Sequence, residues 1–95
     1  MSKKVNEIIK AVKPILVKYG IKKAELFGAS VRGDYRPDSD VDILIEFPPE
    51  AGLFFVGKLY GDLKDTLGKE VDLVSYKAVH PYIRKYVFEH TYPII

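Results

Sequence analysis

The sequence predicts an α+β fold, a small mixed β-sheet with helices packed on one face. Three observations point to it. Two long segments carry apolar residues at steps of three and four, the shorter segments between them alternate apolar and polar, and Gly or Pro marks each junction. With 95 residues, 47% of them hydrophobic, the chain suffices for one compact domain, residues 1–95, but leaves no room for a large second one. Any substrate pocket is therefore expected to be shallow or shared.

The elements follow in order. Val5, Ile8, Ile9, Val12, Ile15, Leu16 and Tyr19 trace one face of an amphipathic helix that Gly20 stops. Pro14 removes a backbone donor inside it, which predicts a kink or a split. Lys22 to Phe27 is a short strand ending at Gly28, and Asp34 to Ser39, with Pro37 among turn-formers, is a loop. Ser39 to Phe47 is the clearest strand: Val41, Ile43 and Ile45 share one face, while Asp40, Asp42 and Glu46 share the other with Leu44, until Pro48 and Pro49 end it. Leu53, Val56, Tyr60, Leu63 and Leu67 mark a second helix, closed by Gly68 despite internal Gly57 and Gly61. Glu70 to Ser75 is a third strand with Val71 and Leu73 inward and Asp72 opposite. Pro81 suits the first turn of a last helix striped by Ile83, Tyr86, Val87 and His90. The tail Tyr92-Pro93-Ile94-Ile95 is too apolar for a solvated end and is expected to pack against something.

Composition removes several function classes. Without cysteine there is no disulfide, thiolate nucleophile or Cys-based zinc site. Fifteen basic and thirteen acidic side chains, in no long block, give no sign of nucleic-acid or membrane binding. No apolar h-region follows the first lysines, and no apolar run approaches the roughly 20 residues that span a bilayer. The cytoplasm is the expected location.

Chemistry concentrates around the second strand. Residues i and i+2 of a strand project from the same face, so Asp40 and Asp42 can aim both carboxylates at one point, where they repel unless a cation sits between them. Mg²⁺, a hard ion that takes one or two carboxylates and completes its shell with water and phosphate oxygens, matches that arrangement. Upstream, Gly28 and Gly33 bracket a segment leaving a strand, where missing side chains let backbone N–H groups approach phosphate oxygens, and Arg32 offers a planar fork of donors.

Residues 26 to 45, Leu-Phe-Gly-Ala-Ser-Val-Arg-Gly-Asp-Tyr-Arg-Pro-Asp-Ser-Asp-Val-Asp-Ile-Leu-Ile, resemble the signature of the minimal nucleotidyltransferases of the DNA polymerase β superfamily. That pattern is Gly-Ser, two variable residues, Arg-Gly, a short loop, then Ser-Asp-x-Asp. The resemblance covers nearly the whole chain and implies the palm-like nucleotidyltransferase fold. It implies that Asp40 and Asp42 ligate magnesium, two ions in all, and that Asp72, in a Val-Asp-Leu-Val strand, completes the triad and polarises the attacking hydroxyl. Gly28 and Arg32 would contact the triphosphate of ATP, in a nucleotide-binding set completed by Ala29, Ser30, Gly33 and Ser39. Ala29 departs from the pattern, standing where the family usually has a phosphate-gripping serine; Ser30 either substitutes or points away.

The implied reaction is attack of a hydroxyl on the α-phosphate of ATP with release of pyrophosphate, which needs positioning and charge neutralisation rather than a covalent nucleophile. Minimal members of the family resemble the antitoxin half of a module whose partner is a helical HEPN-type toxin. Some transfer AMP onto a tyrosine of that partner, and any oligomer would form through it. Two other readings stand beside this one: a binding-only antitoxin whose site has decayed, which Ala29 favours, and a nucleotidyltransferase acting on a small molecule or RNA. His80 and His90 have no partner in sequence. Asp34, Asp38, Glu46 and Glu70 are expected to be solvated, and Lys58, Lys64 and Asp65 to form the outer face of the second helix.

Overall fold

The computed structural model describes residues 3–28, 40–79 and 91–95, with only the backbone of Lys3. Helix α1 (Lys3–Lys18) turns Val5, Ile8, Val12 and Leu16 inward, each at most 4% exposed. Complete burial of such aliphatic side chains contributes about 1.5–3 kcal/mol each, so this stripe and not helix propensity holds the helix in place. Pro14 does not split the helix. It lies on the exposed face, where the carbonyl it leaves without a donor can be hydrated. The end is a left-handed cap. Gly20 has φ +76°, its N–H donates to Val17 O at 3.0 Å, and the Ile21 N–H donates to Leu16 O at 3.0 Å, with both apolar side chains buried.

Strands β1 (Ala24–Phe27), β2 (Val41–Ile45), β3 (Val71–Ser75) and β4 (Tyr92–Pro93) form one mixed sheet in the order β3-β2-β1-β4. β1 is antiparallel to β2 and to β4, while β2 and β3 are parallel and joined through α2 (Leu53–Leu67). The first and third strands are shorter at their starts than the sequence suggests. The tail packs as expected: Ile94 is buried and its N–H donates to Ala24 O at 2.8 Å.

Ala24, Leu26, Val41, Ile43, Ile45 and Val71 join the inward residues of both helices in one core. Two expectations change here. α2 buries Leu59 and Leu63, whereas Leu53 is 87% exposed, because the first turn of the helix extends beyond the core. Leu44, on the face of the acids, is fully buried, so that face is not simply solvated. The expected helix from Pro81, and both histidines, lie outside the described residues. No described helix is long and apolar enough to cross a membrane.

Candidate functional site

Sheet topology brings the acids together. β1 ends beside the start of its antiparallel neighbour β2, and β3 begins at that same end; in the parallel register of β2 and β3 Asp42 lies beside Asp72, with Phe27 opposite Asp42 on the other side. Adjacent strands are about 4.8 Å apart, and in-register neighbours project to the same face. Asp42 and Asp72 therefore stand side by side on the face away from the main core. Asp40 precedes β2 at the same end; it and Asp72 are exposed, while Asp42 is half-buried.

Gly28 lies against Asp42, on the β1 side of it. Its φ of +77° suits glycine, and a Cβ built there would overlap Asp42 Oδ2 and lie 3.0 Å from Cγ. The bare backbone thus lies directly against the Asp42 carboxylate, a requirement for glycine that is steric as well as conformational. Ala29, Ser30, Arg32, Gly33 and Ser39, the rest of the expected phosphate-binding segment, lie outside the described residues. Among the described residues no three His, Cys, Asp or Glu side chains converge closely enough to hold a metal ion. The donor set is nonetheless all carboxylate oxygen on adjoining backbone, which is what a hard divalent cation takes.

A second cluster, not foreseen from sequence, adjoins the acids. The Val41 N–H donates to Glu70 O at 3.0 Å, so residue 70 is tied to the backbone between Asp40 and Asp42. The Glu70 side chain, expected to be merely solvated, is gripped from α2. Tyr60 Oη donates to Oε2 at 2.7 Å, and Lys64 Nζ lies 2.7 Å from Oε1. Hydrogen bonding to Lys64 and then to Tyr60 holds the Glu70 carboxyl below its ordinary range. The same contacts raise Lys64 and the Tyr60 phenol, and Asp40 is near enough to add to the latter. The only hint in the sequence is that Tyr60 and Lys64 are four apart on a helix and share a face.

Among the described residues, two cavities lie away from the acids. One of about 330 Å³ and one of about 530 Å³ flank Phe47, Pro48 and Pro49, beyond the far end of β2, so they are not extensions of the acid site. Tyr76 borders the second. Burial first, then the Glu25 carboxylate, pushes its phenol well up, and Lys23 Nζ lies 4.8 Å from its ring centroid.

Known proteins share this arrangement of elements. The sequence profile of the nucleotidyltransferase domain matches residues 5–93. A Methanocaldococcus jannaschii protein, MJ0435, provisionally named a protein adenylyltransferase, is 35% identical over 91 residues, 96% of this chain and 98% of its own length. The protein adenylyltransferase MntA of Thermococcus cleftensis is 36% identical over 75 residues, 79% of this chain and 76% of its own. A solved structure provisionally described as a minimal nucleotidyltransferase superposes with a TM-score of 0.79 at 30% identity, covering 94% of this chain and 91% of that one. The fold also recurs, at 16% identity and a TM-score of 0.70, in a complex of a tri-AMPylated Shewanella oneidensis HEPN toxin with an MNT antitoxin; 95% of this chain and 71% of the matched one are covered. By profile, by sequence and by fold, the chain belongs to the nucleotidyltransferase family, as an enzyme of the adenylyltransferase class.

Proposed function

We propose that this chain, acting as one domain in the cytoplasm, moves AMP from ATP to a tyrosine hydroxyl of a HEPN-type helical toxin in a Mg²⁺-dependent reaction, and so serves as an antitoxin. The observation that carries the proposal is the in-register Asp42–Asp72 pair, with Gly28 against Asp42 and Asp40 at the same sheet end. The relatives named protein adenylyltransferases and the antitoxin-like fold support it.

Asp40, Asp42 and Asp72 are the residues that would hold magnesium, which when bound neutralises negative charge on the triphosphate. The chain's own contributions are positional. Gly28 leaves backbone room against Asp42, and Arg32 with Ser30, Gly33 and Ser39 orients the triphosphate. Exposed Asp72 faces the incoming hydroxyl and polarises it. An open site at the end of a sheet suits a protein acceptor, because the partner can supply its own walls. Ala29 lacks one neutral hydrogen bond, a loss of about 0.5–1.5 kcal/mol in nucleotide binding.

The test is to incubate the chain with Mg²⁺, ATP and a HEPN-type partner and to follow the partner's mass. Addition of AMP that vanishes with Asp40→Ala or Asp42→Ala supports the reading. Tight partner binding by both variants, with no transfer by the unaltered chain, would instead establish the binding-only module that Ala29 favours.

A further inference from the structure

Packing inside the chain accounts for the inner face of α2 but not for its outer one. Phe54 is 94% exposed and Leu53 87%, the two most exposed large apolar side chains among the described residues. Aromatic side chains dominate the energetics of interfaces as they do of cores, so a solvated ring beside a second apolar residue marks a contact surface. At 3.6 residues per turn, Phe54, Lys58, Gly61 and Asp65 fall on one stripe of α2, on the side away from the buried Leu59 and Leu63. Gly68, in its left-handed cap, ends the stripe.

The glycines of this face have no purpose within the chain. A Cβ at Gly57, Gly61 or Gly68 would meet nothing within 4 Å among the described residues. Gly57 and Gly61 do not have positive φ, so neither backbone nor packing requires them, and each weakens the helix relative to alanine. What a bare helix surface does allow is close approach of a second backbone.

The stripe is also self-complementary about Gly61. Phe54 and Gly68 stand seven residues to either side of it, and Lys58 and Asp65, both exposed, stand three before and four after. Laid antiparallel against its own copy, α2 would set each Phe54 ring over the other copy's Gly68 and each Lys58 beside the other copy's Asp65, with the backbones meeting at Gly61. Large then faces small and plus faces minus, which a two-fold contact demands of a single patch. A foreign partner imposes no such symmetry, so the pattern selects a second copy of this chain.

We propose that the outer face of α2 is a homodimer interface, two copies crossing antiparallel at Gly61. The two Phe54 rings bury about 300–500 Å² and cover about as much again, which with Leu53 brings the contact to roughly 1,200 Å², the low end of stable interfaces. The dimer is therefore weak, with a Kd on the order of micromolar. Asp42 and Asp72 stand on the face of the sheet away from α2, so both acid sites stay open in the pair. The inference is independent of the function proposed above.

Sedimentation velocity on the full chain, from about 1 to 300 µM, reads the association directly. The expected result is a shift from the mass of one chain to that of two across this range. Phe54→Ser and Gly61→Leu, at surface positions with room for the change, should each weaken association by about tenfold or more and leave the circular dichroism spectrum unaltered. Lys58→Glu and Asp65→Lys should each weaken it, and the double variant should recover it. A chain that stays monomeric throughout overturns the proposal, as does a dimer indifferent to Phe54→Ser and Gly61→Leu. A double variant no tighter than either single one overturns the antiparallel register. If the free chain is always monomeric and Phe54→Ser instead loses a HEPN-type partner, the face belongs to that partner and the homodimer is refuted.

Discussion

Replacing Gly28 by alanine separates the two reasons for glycine there. At φ +77° an L-residue costs about 1–2 kcal/mol from its own backbone. Gly20 supplies the control, since it has φ +76° and nothing within 4 Å of an added Cβ. Gly20→Ala should therefore lose only that strain, a fall in Tm of about 4–8 °C per kcal/mol for a domain of this size, and should keep its transfer rate. In Gly28→Ala the new methyl overlaps Asp42 Oδ2 and lies 3.0 Å from Cγ, so strain is joined by a forced shift of the carboxylate. A displacement on the order of 1 Å at a group that positions the reaction costs roughly a hundredfold in rate. Thermal unfolding monitored by circular dichroism and AMP transfer to the partner, measured on both variants, decide the matter. A Gly28→Ala chain that unfolds like Gly20→Ala and transfers AMP at the unaltered rate would refute the claim that Gly28 exists to make room for Asp42.

Other outcomes follow from the same geometry. Asp42→Asn should retain the fold, judged by circular dichroism, and lose about 10²–10³ in transfer rate through lost charge complementarity. Leu63→Ala, at a fully buried position, should destabilise by about 2–5 kcal/mol in urea unfolding, whereas Leu53→Ala should change little. Glu70 is held below its ordinary value by Lys64 and Tyr60, so the stability it adds is present above the unfolded value of about 4.3 and is lost as pH falls through the lower folded value. The Tm curves of the unaltered chain and Glu70→Gln should therefore converge on acidification through that window; a constant gap would contradict the pairing.

Periodicity carried most of the fold because it reports burial directly. Val5, Ile8, Val12 and Leu16 point inward as their spacing demands, and Val41, Ile43 and Ile45 alternate as a strand beside a core must. It failed where burial depends on a neighbour. Leu53 fits the stripe of α2 but lies in a turn with no core beneath it, and Leu44 has the parity of the acids yet is covered. The apolar tail announced that it packs; its pairing with β1 is tertiary information that four residues do not encode. At the site, the spacing of Asp40 and Asp42 was visible along the chain, and Asp72 was implied by the resemblance. That Asp72 stands beside Asp42 depends on the parallel pairing of β2 with β3. Glu70 looked solvated because nothing local reveals that α2 returns two side chains to it.

The side-by-side placement of Asp42 and Asp72 also bears on how stable this protein can be. Like charges facing each other on neighbouring strands cost about 0.2–1 kcal/mol. Without a counterion, an asparagine at position 72 would therefore suit the fold better than the aspartate does. The chain holds a residue that weakens it, a trade of robustness for chemistry that searches for thermostable variants would tend to reverse. Selection for heat resistance alone would drift toward well-folded proteins with a silent site.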